Sequence, residues 1–210
     1  MFKKIYAYVG PMCSGKTGIL DNLLHTQELA GMNVFLFRPS FDTRQQQNKF
    51  ADRNGFSRYN GASHLVEDNQ EIWTAYKQKK FEVVGFDEGQ FFKPSLVPII
   101  FELFSLHNVL VYYSGLDTDF LGRPFETTKN LIVLPEVKVY KQRAVCVFCH
   151  GTATRTLKHT VDGNIFTSDQ NTSREQVGDL ESYSPTCLSC FNIAIKAVNI
   201  TIDELKNSKK

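Results

Sequence analysis

The sequence predicts an α/β fold, a mostly parallel sheet with helices on both faces, followed by a small metal-organised lobe. Three observations carry this expectation. Strand-like and helix-like segments alternate through the first two thirds of the chain, which implies right-handed crossovers between parallel strands. A glycine-containing loop, Gly10-Pro11-Met12-Cys13-Ser14-Gly15-Lys16-Thr17, joins the first strand-like segment to the first helix-like one. After about Val139 the character changes, and four of the five cysteines fall in two CxxC pairs.

The elements follow in order. Lys4 to Val9 is β-branched and aromatic and reads as a strand. From Lys16 to Ala30 apolar residues recur at Leu20, Leu23 and Leu24, close to helical spacing, and Gly31 is the expected stop. Val34-Phe35-Leu36-Phe37 is a nearly continuous apolar run, as in a strand covered on both faces. Ser40 to Gln70 is polar and rich in Asn, Gln, Gly and Ser, and reads as a long loop. Glu71 to Lys79 looks helical, Phe81 to Phe86 is a strand running into Asp87-Glu88, and Pro94 to Leu106 is an apolar helix opened by its proline. Asn108 to Tyr113 and Leu131 to Leu134 read as two more buried strands. Arg143 to Cys190 carries short β-like pieces, and a frayed tail is expected from Asp203 to Lys210. The expected division is an α/β nucleotide-binding domain over 1–140, a metal-binding lobe over 141–195 and a tail over 196–210.

Composition narrows the classes of function. The 210 residues hold 24 Lys+Arg against 22 Asp+Glu, a formal charge of +2, with no long block of one sign, which argues against a nucleic-acid partner. No uninterrupted apolar run approaches the roughly 18 to 20 residues needed to span a bilayer. The first residues, Met1-Phe2-Lys3-Lys4-Ile5-Tyr6, lack the apolar stretch and cleavage site of a signal peptide. A soluble cytosolic protein without a membrane partner is expected.

The loop from Gly10 to Thr17 meets the pattern GxxxxGK[ST] with a strand before it and a helix after it. In that context its backbone N–H groups point inward at a helix N-terminus and stabilise phosphate oxygens, which a glycine-rich turn with an exposed lysine does not do. Lys16 is expected to neutralise the β and γ phosphates of ATP, and Thr17 to ligate Mg²⁺, which needs few protein oxygens. Cys13, the fifth cysteine, is expected to fill space within the loop. The acidic pair after the strand at Phe81 to Phe86 suits the same chemistry: Asp87 orients Mg²⁺, and Glu88 accepts a proton from water or from a hydroxyl.

Cys146-Val147-Phe148-Cys149 and Cys187-Leu188-Ser189-Cys190 can supply four thiolates to one tetrahedral Zn²⁺, a closed and therefore structural site. Reduced buried cysteines or a redox dithiol are the alternatives. Four thiolates on one dication would take the formal charge from +2 to zero. The five histidines, at 25, 64, 107, 150 and 159, fit no ligand pattern better than the cysteines and are read as surface or packing residues.

With these residues in place, the chain closely resembles the thymidine kinases of the cytosolic, zinc-containing type from about Lys4 to Cys190. The resemblance rests on Gly10 to Thr17, Asp42-Thr43-Arg44, Asp87-Glu88-Gly89-Gln90-Phe91-Phe92, Gly115 to Phe125 with its Arg123-Pro124-Phe125, and the two cysteine pairs, in that order. It implies a RecA-like α/β P-loop domain followed by a zinc lobe. It also implies transfer of the γ-phosphoryl of ATP to the 5′-hydroxyl of thymidine with Mg²⁺, a cytoplasmic homotetramer, and inhibition by thymidine triphosphate. Glu88 matches the residue assigned as general base, Arg44 an arginine near the transferring phosphate, and Gln90 falls with Asp87 in the phosphate-binding set. Met12, Phe91, Leu116, Phe120 and Phe125 match residues that line the thymine site. The segment from Leu157 to Tyr183 resembles one that folds over the nucleoside, with Thr156, Gln176 and Tyr183 approaching the base.

The chain departs from that pattern at three places. Gln176 stands where an apolar residue is expected, Cys13 stands where Phe or Ala is more usual, and Asn164 to Thr172 is unusually polar. The departures bear on base specificity, including use of deoxyuridine, rather than on the reaction. Two other classes of function remain open at this point: a P-loop ATPase acting on nucleic acid, and a zinc-organised interaction module with a vestigial nucleotide site.

Overall fold

The structure, a computed structural model, describes residues 4–40, 57–160, 162–166 and 183–196. It divides into two compact units, the first made of Met1–Val9, Lys16–Gly115 and Glu126–Tyr140, the second of Gly10–Gly15, Leu116–Phe125 and Lys141–Lys210.

The first unit is built on strands β1 (Ile5–Val9), β2 (Val34–Pro39), β3 (Ser63–Val66), β4 (Val83–Phe86), β5 (Leu110–Gly115) and β6 (Val137–Lys141). Their order across the sheet is β3-β2-β4-β5-β1-β6. The pairs β1–β5, β2–β3, β2–β4 and β4–β5 are parallel, so these strands end at one common edge. Strand β5 lies between β1, which leads into the phosphate loop, and β4, which leads into Asp87. The α/β class expected from the alternation of segments is the one observed.

Helices α1 (Lys16–Leu29), α2 (Gln70–Lys79), α3 (Leu96–Ser105) and α4 (Glu126–Ile132) cover the sheet. The two-residue alternation of strands sorts the core: Val84, Phe86 and Phe37 join a cluster with Ile72 and Tyr76 of α2 and with Leu96, Ile100 and Leu103 of α3, while Val83 and Leu36 meet Leu20 and Leu24 of α1. Leu20 and Leu24 are fully buried, each contributing roughly 1.5–3 kcal/mol of apolar burial. Helix α1 ends as the sequence predicts: Gly31 is left-handed (φ 77°), its N–H donates to Glu28 O and that of Met32 to Gln27 O. Two of the histidines pack on rings, His64 on Phe35 and His107 on Tyr76 and Trp73.

Two expectations are corrected. The apolar run Leu131 to Leu134 is not a strand: α4 runs into it, and the strand begins only at Val137. The apolar run misleads because its first residues close a helix whose buried stripe is Thr127, Thr128 and Leu131, with the threonine hydroxyls bonded inward to Phe92 O (2.5 Å) and the Tyr113 hydroxyl (2.7 Å). The stretch from Ser40 to Gln70 also contains a strand. Strand β3 has only two apolar residues in four and pairs at the sheet edge with β2, so no periodicity announces it. Residues 41–56 of that stretch lie outside the described residues, as does the tail from Asp203 to Lys210.

Among the described residues the second unit holds two short antiparallel ladders, β7 (Ala144–Val145) with β8 (Thr152–Ala153) and β9 (Arg155–Lys158) with β10 (Tyr183–Thr186), then helix α5 (Leu188–Lys196). Its core gathers Cys146, Phe148, Ala153, Leu157, Cys190, Phe191 and Ala194.

Candidate functional site

In the first unit the catalytic candidates collect at the carboxyl edge of the parallel strands, where open α/β sheets bind ligands. Asp87 follows β4 directly and is 4% exposed. Its Oδ1 accepts from the Ser114 hydroxyl at 2.9 Å, at the end of β5, and its Oδ2 lies 3.5 Å from the Thr17 hydroxyl in the first turn of α1. Its backbone N–H donates to Phe37 O, tying the acidic segment to β2. Thr17 and Asp87 thus present hard oxygen donors side by side, the ligand type that suits Mg²⁺. Glu88 is half-buried and left-handed in backbone (φ 51°, ψ 38°). A 3-10 turn, Gly89–Phe91, follows it and returns the Gln90 amide to Glu88 Oε2 at 2.7 Å.

In the second unit the loop residues Pro11 and Met12 are buried, whereas Cys13 is exposed and left-handed (φ 62°), so it does not fill space as expected. The Met12 N–H donates to the Thr156 hydroxyl at 3.0 Å. Met12, Phe120 and Tyr183 form an apolar cluster joined by Leu116, Leu121 and Phe166. Of the expected nucleoside residues, five therefore meet here: Met12, Leu116, Phe120 and Tyr183 in the cluster, and Thr156 through its bond to Met12. Phe125 is buried but outside this cluster, and Phe91 belongs to the first unit.

Phe120 is positioned by the carboxylate beside it in sequence. Asp119 is 3% exposed and accepts from the N–H groups of Leu121 (3.0 Å) and Arg123 (2.9 Å), while Arg123 forks onto it through Nε (2.8 Å) and a terminal nitrogen (2.7 Å).

One pocket residue was not anticipated. Lys158 is 3% exposed, and its ammonium sits 5.4 Å from the Phe120 ring, 5.2 Å from Phe166 and 5.6 Å from Tyr183. Burial pushes its pKa down. The signal was present: residues i and i+2 of a strand share a face, so Thr156 on β9 points to Lys158. Arg44 and Gln176, the other two expected site residues, lie outside the described residues.

The four paired cysteines converge, their sulfurs all within 4.8 Å of one another. Cys146 and Cys149 occupy the β7–β8 turn, and Cys187 and Cys190 the junction of β10 with α5. Burial pushes the Cys146 thiol up, but backbone N–H groups of Cys149, Cys187 and Phe148 outweigh it and bring its pKa to about 7. Cys190 moves up, chiefly through burial. A soft four-sulfur set of this size matches a tetrahedral metal site with no open position.

Fold and site together define a P-loop α/β protein with an appended four-cysteine lobe. A family model, thymidine kinase, matches residues 3–191, and the chain belongs to the thymidine kinase family. Among its relatives, a thymidine kinase of Mycoplasma mobile is 31% identical over 96% of this chain and 93% of its own. One of Bdellovibrio bacteriovorus is 34% identical over 90% and 85%. A third, of Metamycoplasma arthritidis, is 28% identical over 91% and 92%. Among solved structures, Bacteroides Pif1 bound to ssDNA covers 67% of this chain and 38% of its own at 13% identity and a TM-score of 0.32, a likeness too slight to bear on function.

Proposed function

We propose that this protein transfers the γ-phosphoryl group of ATP to the 5′-hydroxyl of thymidine, forming thymidine monophosphate for nucleotide salvage, with deoxyuridine as a second acceptor. The observation that carries the reading is the Asp87 carboxylate, set between the Thr17 and Ser114 hydroxyls at the carboxyl edge of the sheet and followed at once by Glu88.

In this reading the backbone of Gly10 to Gly15 and the Lys16 ammonium hold the donor triphosphate. Thr17 and Asp87 would hold Mg²⁺, which when bound neutralises charge on the β and γ oxygens. The 5′-oxygen attacks the γ-phosphorus, the bond to the β–γ bridging oxygen breaks, ADP leaves, and the hydroxyl proton passes to Glu88. Arg44 stabilises charge on the transferring group. Met12, Leu116, Phe120 and Tyr183 offer the thymine base an apolar, aromatic surface, and the family resemblance adds Phe91, Phe125, Thr156 and Gln176 to the proposed nucleoside-binding set. The four cysteines would hold a structural Zn²⁺, which when bound would fix the end of β10 and hence Tyr183.

The family resemblance supports a cytoplasmic homotetramer restrained by thymidine triphosphate, and the reading divides the chain by task into 1–140, 141–195 and 196–210, a division distinct from the two compact units. Incubation with Mg-ATP and thymidine tests the reading through equal yields of ADP and thymidine monophosphate. Hydrolysis of ATP stimulated by nucleic acid, without the nucleotide product, would overturn it.

A further inference from the structure

We infer that Gln90 is a positioning residue for phosphoryl transfer, its side-chain amide setting the direction of the Glu88 carboxylate. The inference rests on the reading of Glu88 as proton acceptor and assigns Gln90 a task other than contact with phosphate. The amide donates to Glu88 Oε2 at 2.7 Å, the short distance of a bond to a charged acceptor. Gln90 is 5% exposed, so the donor side of this part-buried bond is held within the protein.

The surroundings hold the pair in place from behind. Glu88 adopts left-handed backbone (φ 51°), a strained conformation for an L-residue that persists where the surrounding structure holds it. The turn that follows it is closely packed. Gly89 lies so close to the Tyr113 ring that a Cβ there would collide with it. Gly115 lies against the Gln90 amide, where a Cβ would stand 2.8 Å from Gln90 Oε1. The residue after the turn, Phe92, gives its carbonyl to the Thr127 hydroxyl, and the next residue of α4, Thr128, bonds the Tyr113 hydroxyl. Adjacent threonines of α4 thus clamp both the turn and the ring under it. A glutamate gives up side-chain freedom when fixed, and a carboxylate already fixed does not incur that entropic cost during the reaction.

The test is a double-mutant cycle on the full chain, with kcat and both KM values measured for wild type, Gln90→Leu, Glu88→Gln and the double variant. Gln90→Leu is expected to lower kcat about tenfold with both KM values within about twofold of wild type, and to have no effect in the Glu88→Gln background. An equal loss in both backgrounds, or a loss confined to the KM for ATP, overturns the inference, since Gln90 would then act on its own. Wild-type turnover in Glu88→Gln overturns instead the reading of Glu88. Gly115→Ala crowds the same amide without removing it. A fall in kcat that vanishes in the Glu88→Gln background supports the inference even if Gln90→Leu folds poorly, and an unchanged kcat counts against it.

Discussion

The backbone N–H of Met12 in the phosphate loop donates to the hydroxyl of Thr156 on β9 across 144 residues of sequence. The bond is buried, so an isosteric apolar replacement leaves a backbone donor without its partner. Thr156→Val should therefore cost about 1–3 kcal/mol in urea unfolding. Thr156→Ser keeps the hydroxyl and should stay within about 0.5–1 kcal/mol of wild type. The thymidine KM should rise in the valine variant, because Met12 forms part of the apolar cluster. An unfolding midpoint equal in all three proteins would count against a structural weight for this bond.

The Asp119–Arg123 fork sets the loop that carries Phe120. Asp119→Asn keeps the shape but turns an amide N–H toward the guanidinium or toward the N–H groups of Leu121 and Arg123. A loss of about 2–5 kcal/mol is expected, since one partner of a buried, hydrogen-bonded charge is removed. Arg123→Ala should cost less, because that side chain is 39% exposed and water can replace it at the carboxylate. Calorimetry on the two variants gives the order, and the opposite order would show that the arginine, not the backbone bonds, holds the loop.

The cysteine cluster gives a prediction with a definite sign. Cys146 is already largely ionised above pH 7, whereas Cys149 and Cys190 are held above the ordinary thiol value. Raising those two pKa values favours protonated thiols in the metal-free protein, so binding a metal must expel their protons. The logarithm of metal affinity should then climb by at least two for each pH unit just above pH 7, and by one more below it, where Cys146 is protonated too. Competition with a chromophoric chelator across pH 6 to 8 measures the slope. Cys187 lies four residues from Tyr183, so metal removal should raise the thymidine KM.

The phosphate loop and both cysteine pairs are legible in the sequence because their chemistry demands residue types at fixed spacing. Asp87 and Glu88 are legible because a buried apolar strand ends in two charges. Strand β3 and helix α4 are not, for the same underlying reason. Their assignment depends on what they pack against: β3 is a polar edge strand that exists through its ladder with β2, and the threonines of α4 are inside because Phe92 and Tyr113 receive them. Lys158 was missed because a lysine is ordinarily a surface residue, and the rings that face it come from separate segments of the chain.

That lysine separates stability from ligand binding. Burial disfavours its charged form, and each ring face returns about 0.5–2 kcal/mol against that cost. Lys158→Met keeps an unbranched apolar stem among the same rings, and its unfolding midpoint should equal or exceed that of wild type. The cation also fixes the distances of Phe120 and Tyr183, which Tyr183 reinforces by pairing directly with Lys158 across the β9–β10 ladder. The thymidine KM should therefore rise several-fold in Lys158→Met while the KM for ATP stays unchanged. A destabilised variant with normal KM values would mean that the ammonium serves the fold, and the cluster would then bind the base without help from its charge.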